Sequence, residues 1–207
     1  MKCAIMQPTF FPWPGYFCLI NEVDKFIFLD DAQFSKGSWH NRNKIFLANK
    51  VSWLTLPIKK KDLFTSINEI EIADVKILNN KINTKIKEAY QNHKYFSCIV
   101  EIMDFLEKLE TINLSEINIS IIKFISLKLG INKVDFIKSS DLKIKGKRTE
   151  KIISILNKVS ASSYISPPGA QDYLSQDNYG LNTNIPLSFI DYHQKEYSQK
   201  KITNFIS

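Results

Sequence analysis

Apolar residues along this chain come in short runs whose period changes twice. Residues 2–6 and 25–29 are brief, nearly continuous apolar segments, the pattern of strands buried on both faces. Between them, residues 7–15 carry Pro8, Pro12 and Pro14 among Phe10, Phe11 and Trp13. Proline fixes φ and withholds a donor, so this segment is predicted to be a rigid, irregular loop. Residues 16–23 suit a short helix. A strand pair is predicted at 44–47 and 51–57 around Asn49-Lys50, and alternation over 67–72 points to another strand. From about 79 to 130 the period becomes helical, with segments at 82–90, 99–109 and 114–129, a cap around 114–116 and a stop at Gly130. Beyond that, strand-like runs at 133–138, 163–166 and 186–191 frame three other pieces. These are a basic polar loop at 141–149, an amphipathic helix at 150–159 and a turn at 167–171 that leads into a short helix at 172–174. Strand–helix alternation with short connections predicts an α/β fold: a mostly parallel sheet with flanking helices and a helical insert, forming a single domain over 1–207.

The densest chemistry follows the second predicted strand. Within residues 30–43 stand Asp30, Asp31, Gln33, Lys36, Trp39, His40, Asn41, Arg42 and Asn43. Open α/β sheets keep their ligand crevices at the ends of core strands, and a segment that only turned would use Gly, Pro, Asn or Asp. The stretch is therefore a candidate site, without specifying a reaction.

Composition narrows the classes. Hydrophobic residues make up 44% and charged residues 24% of the 207, ordinary for a globular protein. No apolar run is long enough to span a bilayer and no leader pattern opens the chain. Cys3, Cys18 and Cys98 are scattered and odd in number, which suits a reducing, cytoplasmic location. Cys3 is expected in the core. The three histidines are far apart in sequence, so no metal site is expected. The net charge of +7 fits a phosphate-bearing substrate, an acidic partner or nucleic acid, and equally a lysine-rich solvated surface. The 28 basic residues include only two arginines, Arg42 and Arg148. A chain so biased to lysine keeps arginine where planar, bidentate contact with phosphate or carboxylate is needed.

Four segments resemble the motifs of one family. They are Met6-Gln7-Pro8-Thr9-Phe10-Phe11-Pro12-Trp13-Pro14-Gly15-Tyr16-Phe17, the segment from Val23 to Phe34, Lys36-Gly37-Ser38-Trp39-His40-Asn41-Arg42-Asn43, and Tyr164-Ile165-Ser166-Pro167-Pro168-Gly169-Ala170-Gln171. In order and spacing they are similar to the WbqC-like proteins, which are encoded in bacterial surface-polysaccharide (O-antigen) clusters. The resemblance implies a cytosolic glycine or related acyl transferase that forms an amide on a nucleotide-linked amino sugar. Two departures stand out. Met6 occupies a place where some members carry His, so no base is expected there. The family pattern also continues past Asn204-Phe205-Ile206 into a further helix, whereas this sequence stops at Ser207: either the protein is naturally short there or a C-terminal element is missing.

Such a reaction needs a base, a polarised carbonyl, a held leaving group and an anchored diphosphate. Asp31 is the candidate base or amine-orienting acid, with Asp30 beside it; alternation along a strand would point only one of them into the crevice. Their structural alternative is capping, or pairing with Lys36 or Arg42. Lys36 and Arg42 suit a diphosphate, or the carboxylate of a glycyl-type donor. Asn41 and Asn43 flank Arg42 and suit sugar hydroxyls, or else Asx turns. Gln7 and Gln33 are expected to meet at the ends of neighbouring strands. Trp13 and Trp39 suit stacking on a base or sugar, or the core. Arg148 lies with Lys145 and Lys147 in a basic loop before a helix, which suits phosphate or is simply a solvated loop, and Gly169 and Gln171 lie in a turn that cradles an oxyanion or is simply tight. His40 has no visible partner as a base. No cofactor is firmly implied. The acyl donor stays open, with an aminoacyl-tRNA or acyl-carrier donor as candidates. The competing functions are an ATP-dependent amide ligase and a basic module binding RNA or a carrier protein. The ligase rests on a faint resemblance, without HxGH, to pantothenate-synthetase-like nucleotide-binding folds.

Overall fold

The computed structural model describes residues 1–60, 62 and 64–193. The expected C-terminal continuation lies outside them. In chain order the elements are β1 (Lys2–Met6), α1 (Pro14–Asn21), β2 (Lys25–Phe28), β3 (Arg42–Leu47), β4 (Lys50–Thr55), α2 (Asn83–Tyr90), α3 (Phe96–Glu107), α4 (Leu114–Lys128), β5 (Asp135–Lys138), α5 (Arg148–Lys158), β6 (Ser163–Ser166), α6 (Gln171–Gln176), α7 (Tyr179–Asn182) and β7 (Leu187–Phe189). They fall into two compact units. Among the described residues, the first comprises 1–7, 14–31 and 126–193; the second comprises 8–13 and the described part of 32–125.

The first unit holds a five-stranded sheet in the order β5-β2-β1-β6-β7, every pair parallel. The expected α/β fold with a mostly parallel sheet is the one observed. Parallel sheets need cover on both faces, and β1 and β2 supply it through alternate residues. Cys3, Ile5 and Ile27 face Ile152, Ile155 and Leu156 of α5, the i, i+3, i+4 stripe of an amphipathic helix. Phe26 and Phe28 instead form an aromatic layer with Tyr16 and Phe136: Phe26 lies 5.3 Å from Tyr16, and Phe28 stacks on Phe136 at 5.5 Å. The chain steps from β1 to β2 to β5, then crosses to the other side of β1 for β6 and β7. Strand order therefore reverses between β1 and β6, and ligands of open α/β sheets bind beyond the carboxyl ends at that point.

The second unit buries Phe10, Ile45, Leu54, Leu56, Ile70, Leu114 and Ile117 in one cluster with residues of the helical segment. Its β3–β4 hairpin closes through Ala48-Asn49, both at positive φ, one residue before the expected turn. Residues 67–72 are not a strand. Ile67–Glu69 is a 3-10 turn, because Ile67 and Ile70 are both buried and a spacing of three brings them to one side. Glu69 Oε2 closes it by accepting from Ser66 N at 3.0 Å. The cap of α4 is Asn113, whose Oδ1 accepts from Glu116 N at 3.0 Å. Its stop is Gly130 at φ +79, with Ile131 N bonded to Ser126 O and Gly130 N to Leu127 O, a Schellman closure.

Candidate functional site

In the first unit the two acids leave β2 together. Phe28 pairs with Lys138, so the residues just beyond face the turn Ser139–Leu142 that follows β5. Asp30, 1% exposed, accepts from Ser140 N at 3.0 Å, Ser140 Oγ at 2.6 Å and Ser139 Oγ at 3.1 Å. Asp31 also contacts Ser139 Oγ, and its Oδ2 lies 2.7 Å from Lys151 Nζ on the first turns of α5. The expected opposition of the two side chains fails because the strand ends at Phe28 and the acids sit in a turn, where the two-residue period no longer holds. Within the first unit, the ion-pair partner of Asp31 is Lys151. The Lys151 side chain is 14% and that of Asp31 21% exposed. A hydroxyl bridge, an anchored buried acid and a partly open acid beside an ammonium thus stand at one sheet edge.

The same edge carries the segments after β1 and β6. The buried Tyr16 hydroxyl donates to Gln7 O at 3.1 Å, fixing the chain as it leaves β1; burial drives the Tyr16 pKa well up, so the phenol keeps that proton. After β6, Pro168–Ala170 forms a 3-10 turn. Ala170 N donates to Pro167 O and Gln171 N to Pro168 O, so two N–H groups expected for an oxyanion cradle are spent within the turn. Gly169 and Gln171 are exposed, and open space lies where a Cβ on Gly169 would stand.

Arg148 sits at φ +49 at the start of α5, where its Nε donates to Asp177 Oδ2 at 3.0 Å and Thr149 Oγ1 donates to the same oxygen at 2.8 Å. The Arg148 and Thr149 hydrogen bonds hold the Asp177 carboxyl below its usual range. A cleft of about 440 Å³ opens there, lined by Lys147, Arg148, Glu150, Asp177 and Asn182 among others. The two acids offset the basic charge that would favour phosphate.

The second unit spends its amides on main chain. Asn41 Nδ2 donates to Leu56 O at 2.8 Å, Asn43 Nδ2 to Phe11 O, and Asn118 Nδ2 to both His40 O at 2.8 Å and Pro8 O at 3.2 Å. Asn41, just before β3, and Asn43 on it are buried: Asn41 fastens the segment after β4 and Asn43 the proline loop, rather than presenting amides to solvent. Gln33 lies past β2 in an isolated bridge with Ser66 and belongs to the second unit, whereas Gln7 belongs to the first. His40 is buried against Phe34. Burial lowers its pKa to about 4, so the ring is neutral near pH 7. Trp13 is half-buried and Lys36 exposed.

On the opposite face of β3, Arg42 and Lys44 stand two residues apart, and Lys44 pairs directly across from Trp53. The Arg42 guanidinium lies 4.0 Å over the Trp53 ring and donates to Gly37 O. Trp39 lies 5.5 Å from Trp53. Sequence reasoning missed Lys44 and Trp53, although the predicted hairpin, once given its register, would have paired them. It also missed Ser139, Ser140, Lys151 and Asn118. Their contacts reach across most of the chain, and no local signal marks them.

The fold defines an open, parallel α/β protein with acids clustered at its strand ends. The chain belongs to the WbqC-like protein family, whose model matches residues 7–207. It is 29% identical over 201 residues to the uncharacterized protein Rv1507c of Mycobacterium tuberculosis (strain ATCC 25618 / H37Rv), an alignment that covers 96% of this chain and 86% of that relative. No solved structure matches it. Among the described residues no helix is long and apolar enough to cross a membrane.

Proposed function

We propose that this chain is a cytoplasmic transferase that forms an amide on the amino group of a nucleotide-linked amino sugar, in the synthesis of a bacterial surface polysaccharide. The observation that carries this reading is the partly open Asp31 carboxylate, held between Ser139 and Lys151 at the carboxyl end of the sheet. Asp31 receives and orients the sugar amine. The amine nitrogen bonds to the acyl carbon, the bond from that carbon to the donor's leaving group breaks, and the amine proton passes to Asp31. Lys151 orients Asp31. Asp30, fully engaged with Ser139 and Ser140, holds the turn that carries the hydroxyl bridge. Gln7, Gly169 and Gln171 line the neighbouring strand ends and contact the substrate.

The test is amide formation, followed by mass spectrometry, with panels of nucleotide-linked amino sugars and glycyl donors. Asp31→Asn and Lys151→Met are expected to lower turnover by about 100-fold, the usual scale for a positioned acid or base, with the fold intact by circular dichroism. Full turnover in Asp31→Asn would overturn the assignment. A second reading, an ATP-dependent amide ligase, is favoured by the strand order. It matches the opening of the doubly wound nucleotide-binding sheets, with the crevice between β1 and β6. Release of AMP during turnover distinguishes it from transfer of a preformed acyl group.

A further inference from the structure

The exposed face of the β3–β4 hairpin carries a cluster that the proposed reaction does not use. Trp39 and Trp53 are 47% and 39% exposed, far from the burial usual for tryptophan. Two cations share their face. The Arg42 guanidinium lies 4.0 Å over Trp53, and Lys44 Nζ stands 5.9 Å from the Trp39 ring and 5.5 Å from that of Trp53. Among the described residues neither cation has a carboxylate within ion-pair distance, whereas Arg148, the other arginine, is paired with Asp177. Arg42 is also held still. Its Nη2 donates to Gly37 O, and its Nε is buried with no hydrogen-bond partner. Gly37 makes room for it: its φ is +76, and a Cβ there would lie 3.2 Å from Arg42 Nη2. A stacked, immobilised guanidinium beside an ammonium, with no acid among the described residues paired to either, suits an anion with a flat ring attached.

We propose that Arg42, Lys44, Trp39 and Trp53 form a binding platform for a nucleoside diphosphate. An indole face takes the base, and the two cations take the phosphates. Base stacking on aromatic side chains tolerates any base, so the platform reads the class and not the nucleobase. The platform is drawn from the hairpin alone; the choice of a nucleotide over another ring-bearing anion rests on the function proposed above.

Calorimetric titration with UDP and with ADP tests it, alongside uridine, inorganic pyrophosphate and a single-stranded oligouridylate. The diphosphates are expected to bind more tightly than either uridine or pyrophosphate. Arg42→Lys and Trp53→Phe, which keep the charge and the aromatic character, are expected to weaken UDP binding about tenfold, the scale of a lost charge-assisted hydrogen bond or stacked ring. The proposal is overturned if neither diphosphate binds, if both variants bind UDP like the parent, or if only the oligonucleotide binds. Amide formation measured on the same variants separates the two proposals. Intact turnover without UDP binding removes the platform and leaves the reaction standing, while UDP binding without amide formation on any substrate pair does the reverse.

Discussion

At the scale of single residues, two buried groups behave differently. Asp30 is sealed but satisfied by the backbone N–H and hydroxyl of Ser140, with the Ser139 hydroxyl shared between it and Asp31. His40 is sealed as a neutral ring, its pKa lowered to about 4 by burial. Below pH 6.5 the unfolded chain takes up a proton on His40 that the folded chain refuses until about pH 4. Stability from this residue is therefore complete above pH 6.5, falls as the pH drops towards 4, and amounts to about 3 kcal/mol over that window. Urea midpoints measured from pH 7 to pH 4.5 are expected to fall less steeply in His40→Gln than in the parent; parallel curves would refute this. Single-residue chemistry was also what the sequence showed best. The acids, the arginines and the tryptophans stood out by type, but their partners did not, because Lys151 and Ser139 reach the acids only through the pairing of β2 with β5 and the packing of α5.

At the scale of elements, left-handed backbone marks two ends. Gly130 closes α4 at φ +79 with nothing near an added Cβ, so Gly130→Ala is expected to cost about 1 kcal/mol from backbone strain alone. Ala48 occupies the same region at φ +51 in the β3–β4 turn. There the reverse change, Ala48→Gly, is expected to stabilise by about 0.5 kcal/mol, since hairpin turns of this kind favour glycine. Thermal melts of the two variants should shift in opposite directions; shifts of the same sign would contradict the backbone account. The strands of the parallel sheet and the three longer helices were legible because their apolar period is regular. The 67–72 segment was not. Its isoleucines satisfy alternation on paper, but Ile67 and Ile70 are buried together by a 3-10 turn.

At the scale of the whole molecule, topology gives the acids their place. Strands β2, β1 and β6 are neighbours, so segments far apart in sequence (the residues after each of them) end at one sheet edge of the first unit. The sequence motifs marked those segments without showing that they converge. Asn41 and Asn43, expected to touch sugar, instead fasten main chain of the second unit, at Leu56 after β4 and at Phe11 in the proline loop, a role invisible until Leu56 and Phe11 are placed beside them. The central claim is that Asp31 serves a substrate amine. Binding of a nucleotide-linked amino sugar can be compared by calorimetry with that of the matching sugar bearing a hydroxyl in place of the amine. This needs no knowledge of the acyl donor. The account predicts that the amine form binds about tenfold more tightly, the scale of one charge-assisted contact, and that Asp31→Asn erases the difference. Equal binding of the two sugars, or a preference that survives Asp31→Asn, would contradict it.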